Sequence, residues 1–349
     1  MKFELYKIFC RRTTVVILVM FFLLSGVFMM QSFTDSSERL AYVSNEGLRQ
    51  THIYWARWDN YNTMSVIEAT GNLGELPYGG WLFPRERWIP FQADVDSPII
   101  QRIVDMYRQV EIPDDAMSYT DVWWHIFNQG GNFILWLFGL SFIVIIGVAP
   151  VFAEERSTGV DKIILTSKHG KNKLIANKII ASLLFATVIY LAYFTLITIP
   201  RLLRFNVDLQ QVMQVNFAPF SQSPYSYLMS EFLIRYFAVG LLSYLLLCMM
   251  GLTISALSRN PFIAIIPSLG LFFVTLFDIR FISVGLHRFF TLFPANSIGQ
   301  TDVWHVPDFY NIFGLLIDRP TMTVIFSAVS ICVLAASCVL ITKRMEASN

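Results

Sequence analysis

Phe152–Lys178 reads FAEERSTGVDKIILTSKHGKNKLIANK, a charged amphipathic segment wedged between two long apolar runs. Those runs, Phe133–Phe152 and Ile179–Ile199, each approach the ~20 residues that cross a ~30 Å hydrocarbon layer. The segment is therefore expected to be a connector between two membrane spans and not a site of chemistry. Four further runs lie outward from it: Thr13–Met30, Tyr236–Leu257, Phe262–Phe277, which is short and begins beside Pro261, and Met322–Thr342. Composition agrees, since 55% hydrophobic and 15% charged residues with a mean hydropathy of +0.53 exceed what a soluble domain carries. The chain reads as an all-α integral membrane protein with six transmembrane helices.

Lysine and arginine are retained on the cytoplasmic side of a membrane. All eight lysines fall into one alternating set of segments: Lys2 and Lys7, then Lys162, Lys168, Lys171, Lys173 and Lys178 in the connector, then Lys343. Cytoplasmic N- and C-termini follow. Arg201 and Arg204, just beyond the third run, break the rule locally and are read as side chains snorkelling to the interface. The first run is longer than a signal-peptide core and no small-x-small site follows Met30, so an uncleaved anchor is expected. Cys10, Cys248, Cys332 and Cys338 lie in or beside the runs, where packing is expected and disulfides are not.

Residues 31–132 form an insert between the first two spans, large enough for a small domain. From Phe33 to Gly131 it holds fourteen Asp and Glu against seven Arg and no Lys, a net of −7. That charge, opposite to the connector's, supports an outside location. Six of the eight tryptophans lie here: Trp55, Trp58, Trp81, Trp88, Trp123 and Trp124. They are read as core residues and interfacial anchors, with Trp123 and Trp124 at the mouth of the second span. Ser97-Pro98 followed by Ile99, Ile100, Ile103, Val104, Tyr107 and Val110 predicts a capped amphipathic helix.

Chemistry within the chain finds no support. The cores of the six runs carry no Asp, Glu, Lys, Arg or His, whereas an ion-coupled carrier ordinarily places such a residue near the midplane. Ser167-Lys168-His169-Gly170-Lys171-Asn172 echoes a phosphate-binding loop but lacks its first glycine and its magnesium-binding hydroxyl. His52, His125, His169, His287 and His305 make no metal-ligand pairing. The chain is expected to be no enzyme, to bind no cofactor or metal, and to bind no nucleic acid. Charges at span edges, Glu231 and Arg235 before the fourth and Asp278 and Arg280 after the fifth, together with His287 and Arg288, are the candidates for an outer gate; interfacial anchoring or a local ion pair is the favoured reading of the span-edge charges.

Within the connector, Glu154-Glu155-Arg156 directly follows the second span. After Thr158-Gly159 come Val160, Ile163 and Ile164 at helical spacing, with Asp161 and Lys162 on the other face. A short helix lying across the membrane surface is expected, apolar toward the bundle and polar toward a partner. The pattern resembles the permease subunits of ATP-binding-cassette (ABC) exporters of the type-2 family. It does so through Glu154-Glu155-Arg156, Gly159, Leu165-Thr166 and the basic residues leading into the third span. Glu4-Leu5-Tyr6-Lys7-Ile8, with Arg11-Arg12 before the first span, is similar to that family's N-terminal interfacial helix. Phe281–Phe293, too short to span, resembles its outer re-entrant segment.

The resemblance implies an architecture: an interfacial helix at 1–12, a first span at 13–30, the extracellular insert at 31–132, and five spans over 133–349. A cytoplasmic coupling helix is expected at 153–166 and a re-entrant segment at 281–293. It also implies partners: a second permease chain, identical or homologous, and separate ABC ATPase subunits that carry ATP and magnesium. Those subunits would dock on the coupling helix, where Glu154, Glu155, Arg156, Asp161 and Lys162 supply polar contacts and Gly159, Val160, Ile163 and Ile164 shape and anchor it. A pathway without midplane charge favours export of an amphiphile such as an antimicrobial peptide or a drug, from a bacterial plasma membrane. The rival reading is a membrane sensor or assembly factor whose outer domain binds a ligand.

Overall fold

The computed structural model describes residues 2–43, 98–110, 135–159, 170–216, 223–277, 282–298, 302–305 and 308–347, with Trp123, Ile126, Phe127, Phe220 and Ile279. Among them the chain is mostly helical. α1 (Lys2–Phe9) precedes α2 (Arg12–Val43), and α3 (Pro98–Arg108) belongs to the insert. A π-helical stretch, Leu135–Leu140, leads into α4 (Ser141–Val148) and α5 (Pro150–Thr158). Then come α6 (Gly170–Phe205), α7 (Met213–Asn216), α8 (Met229–Leu257), α9 (Pro261–Val274) and α10 (Val284–Phe290). A 3-10 turn (Pro294–Asn296), α11 (Asp302–His305), β1 (Phe309–Ile312), β2 (Leu315–Asp318) and α12 (Arg319–Ala347) complete the order.

Among the described residues four helices are long and apolar enough to cross a membrane: Phe138–Thr158, Lys173–Phe205, Met229–Leu257 and Arg319–Arg344. Lys2–Phe9 and Arg12–Val27, bent by 63°, make a fifth when taken as one span. The expected fifth run, Phe262–Phe277, folds as the 14 residues of α9, only ~21 Å of helix. Asn260 caps it, its carboxamide oxygen accepting the Phe262 amide at 2.9 Å, and Pro261 stands at the first helical position.

α8 is the hub of the bundle, in contact with α4, α5, α6, α9 and α12. Two glycines permit the closest approaches of α6. A Cβ at Gly147 would lie 2.7 Å from the Phe185 ring, and one at Gly240 would lie 2.3 Å from the Tyr190 hydroxyl. That hydroxyl instead donates to the Phe237 carbonyl at 3.1 Å. The four cysteines are free, with Cys248 and Cys338 buried as packing residues and Cys10 and Cys332 exposed.

Three expectations are corrected here. The class is not purely helical, because β1 and β2 pair as an antiparallel hairpin in the register Phe309↔Asp318 to Ile312↔Leu315. Its two-residue turn places Phe313 at φ 52° and Gly314 at φ 88°, the left-handed conformations that match strand twist. Trp123 is no interfacial anchor but is fully buried, stacked on Phe127 with ring centroids 5.2 Å apart. Arg201 does not snorkel. α6 runs through Pro200 to Phe205, and Arg201 is 1% exposed, turned back to donate to the Ile197 carbonyl at 2.7 Å. The predicted helix of the insert does begin at Pro98, and Ile103, Val104, Tyr107 and Val110 are buried as its spacing requires.

Candidate functional site

The second span carries its charges on α5, which follows α4 after a single residue, Ala149. Pro150 has no N–H and interrupts the helical ladder there. Three residues of α5 are charged, Glu154, Glu155 and Arg156, and each is paired with another part of the chain.

Glu155, 7% exposed, accepts from Lys7 of α1 at 2.9 Å through one carboxylate oxygen and from Lys178 of α6 through the other. Lys178 is 2% exposed; it also reaches the Val151 carbonyl at 3.4 Å and lies 4.6 Å over the Phe152 ring. Glu4 of α1, likewise buried, acts electrostatically on Lys178. The carboxylate is thus bridged by two ammonium groups from two other helices, an arrangement in which paired charges compensate the loss of water. Glu154 accepts from Arg11, at the bend between α1 and α2.

Arg156 reaches the opposite way. Its guanidinium donates to the carbonyl of Ala256 and, at 3.3 Å, to that of Ser258, at the C-terminal end of α8. Unpaired carbonyls and the negative end of a helix dipole make that a favourable seat for a cation. Ser255, fully buried, accepts the backbone amides of Phe152 and Ala153 at 3.0 and 3.2 Å. Gly159 ends α5 in the left-handed conformation, φ 69°, the usual glycine helix stop.

Glu154, Glu155 and Arg156, expected as polar contacts of a surface helix, are each paired within the chain and tie α1, α6 and α8 to the end of the second span, with Glu155 buried and Glu154 and Arg156 partly exposed. Of the helix expected over 153–166, the described part ends at Gly159. Val160, Asp161, Lys162, Ile163 and Ile164 lie outside the described residues, as does the 167–169 part of the phosphate-loop echo. Exposed residues of this end include Ser157 and Thr158 on α5, Lys2, Phe3 and Tyr6 on α1, and Arg259 and Asn260 after α8.

The sequence reading missed Lys7, Arg11, Lys178 and Ser255 as members of one site. The available signal was physical: a carboxylate pair at the end of an apolar span needs cations from its own chain or from water. The connector's lysines were assigned to the charge rule, which hides their individual roles.

The gate candidates lie at the other end of α8. Glu231 is exposed on its first turn, and Arg235 sits 4.2 Å over the Tyr227 ring. His287 and Arg288 are on α10. Arg288 donates to Asp308 and to the Phe309 carbonyl, both at 2.5 Å, and lies 5.0 Å from the Tyr310 ring, so it fastens α10 to the hairpin. Burial, with Asp308 beside it, pushes the Tyr310 phenol up. Asp278 and Arg280 lie outside the described residues. This end is built from rings: Trp304 meets Phe232 at 5.2 Å and Tyr225 at 6.1 Å, and Phe220 meets Phe232 at 4.9 Å. Among the described residues no group of His, Cys, Asp and Glu could hold a metal ion.

A family model described as ABC-2 family transporter protein matches residues 1–340. No curated protein and no solved structure matches the chain.

Proposed function

The chain belongs to the ABC-2 transporter family, and from that premise we propose that this multi-pass permease subunit is driven by a separate ABC ATPase seated on its charged end. The observation that carries the reading is the fastening of α5 to three other helices at once, through Lys7–Glu155–Lys178 and Arg156–Ala256. A short element gripped in this way cannot move alone. Force applied to the connector is delivered to α1, α6 and α8 together.

The roles of the charged residues are revised accordingly. Glu155 and Lys178 brace the junction, while exposed Ser157 and Thr158, the residues that follow from 160 to 166, and the outer side of α1 meet the ATPase. The lysine distribution supports a cytoplasmic position for this end and for both termini. A second copy or a homologous chain completes the pathway, and ATP and magnesium belong to the partner. The cargo is an amphiphile, an antimicrobial peptide or a drug, exported from a bacterial plasma membrane; the apolar cores of the spans support it.

A photo-crosslinking amino acid at Thr158 tests the seat. Crosslinking to an ABC ATPase in native membranes is expected, with none from Phe313 at the hairpin tip. Equal crosslinking from both positions, or none from Thr158, contradicts the proposal. Capture of a kinase or regulator in place of an ATPase supports the sensor reading.

A further inference from the structure

α6, tied to the charged junction by Lys178, meets the aromatic end of the bundle through Phe194, Leu202 and Phe205 and carries Pro200 within its length; the two other routes between these ends differ in stiffness. The covalent one is the second span. Pro150 cannot donate to the carbonyl of Ile146, and at the far end of the same span the backbone widens into the π-helical Leu135–Leu140, a form rare in helices and typical of pliable or functional positions. The other route is α8, 29 residues with no proline, a rod of ~44 Å. Its far end is locked among Phe220, Tyr225 and Trp304 through Met229, Phe232 and Tyr236.

α5 grips the near end of that rod at two points. Ser255 takes the Phe152 and Ala153 amides at 3.0 and 3.2 Å, at the start of α5. Arg156, one turn later, holds the Ala256 and Ser258 carbonyls. A hydroxyl oxygen offers two acceptor sites, and these two amides fill them. The contact joins residues 103 and 102 positions apart in sequence.

We infer that Ser255 is a positioning residue that links the connector to α8, so that α8, and not the interrupted second span, carries connector displacement to the aromatic end. The inference rests on the ATPase-driven reading above. Ser255 touches neither cargo nor ATPase; it acts through the backbone of α5. Arg156 is the second fastening and limits slippage of α5 along the rod.

The test uses the full chain with its ATPase in proteoliposomes, with exposed Cys10 and Cys332 replaced by serine and Glu231→Cys as a reporter on the first turn of α8. ATP and vanadate are expected to change the thiol-labelling rate of the reporter. In Ser255→Ala that response is expected to fall about tenfold, the size of a typical intersite coupling, while complex assembly and the ATPase rate without cargo stay near those of the parent. Ser255→Thr, which keeps the hydroxyl, restores it. An unchanged response in Ser255→Ala overturns the inference.

Pro150→Ala removes no side-chain partner and guards against misfolding of the serine variant. It restores an amide at position 150 and is expected to leave the reporter response intact. Loss of the response in Pro150→Ala shows that the break in the second span governs it and also overturns the inference. Failure of the parent chain to bind any ATPase would sink the functional reading, whereas a bound, active ATPase with a response indifferent to Ser255 sinks only this step.

Discussion

The two ends of α8 are held by opposite physics. At Ser255–Ser258 a few directional contacts fix α5, which Glu155 in turn ties to α1 and α6. At Met229–Tyr236 a broad set of ring and aliphatic contacts surrounds the helix, with Trp304 and Phe220 both against Phe232. Directional contacts in a dry setting are all-or-none, because the surviving partner loses its water as well as its mate. Area contacts degrade gradually, since neighbours relax into the space. A transporter needs both behaviours: a junction that transmits without slack, and a far end that repacks as the bundle changes state.

The contrast is sharpest for near-isosteric substitutions. Glu155→Gln leaves the buried Lys178 ammonium without its carboxylate and is expected to cost about 3–5 kcal/mol, read as a loss of monodisperse protein on heating in detergent. Recovery in the double variant Glu155→Gln/Lys178→Met would confirm the pairing, and a single variant as stable as the parent would break the comparison. Between the two ends, Gly240→Ala forces a methyl against the Tyr190 hydroxyl, 2.3 Å away. Overpacking of this kind costs about 1–3 kcal/mol, and Gly240→Ala/Tyr190→Phe should regain part of it in the same assay.

At the aromatic end Phe232→Leu, a swap of shape within one chemical class, should cost under about 1.5 kcal/mol. A cost equal to that of Glu155→Gln would show that the far end is as brittle as the junction. The smallest effect is expected at Gly159→Ala, where a left-handed residue acquires a Cβ at about 1 kcal/mol. Since that residue ends α5 ahead of the proposed ATPase seat, its transport rate should fall further than its thermal stability; an equal fall in both would make Gly159 a helix stop and nothing more.

The sequence shows four of the six expected spans readily, because apolar length is a local property. It also shows the start of α3, where Pro98 and the spacing of Ile103, Val104 and Tyr107 act within one helix. The junction is not legible in this way. Its partners are 148, 143, 100 and 23 residues apart for Lys7–Glu155, Arg11–Glu154, Arg156–Ala256 and Lys178–Glu155, and no periodicity encodes such pairings. Arg201 was misplaced for a related reason. Hydropathy ends the third run before Pro200, whereas α6 continues to Phe205 and carries Tyr193, Ile197 and Arg201 along one buried face. A proline within a membrane helix is tolerated when neighbouring groups satisfy the freed backbone. The hairpin escaped notice because its turn uses Phe313-Gly314 in place of the commoner Asn-Gly.

The central claim is that a separate ABC ATPase drives this permease from the charged end of its bundle. The most direct measurement is purification of the tagged chain from its native membrane in mild detergent, with identification of bound proteins and an ATPase assay on the eluate. The account predicts an ABC ATPase in stoichiometric amount, lost when Ser157 and Thr158 are replaced by bulky acidic residues and retained when Phe313 is replaced. Recovery of the intact chain with no ATPase, or an ATPase whose binding is indifferent to Ser157 and Thr158, would contradict it.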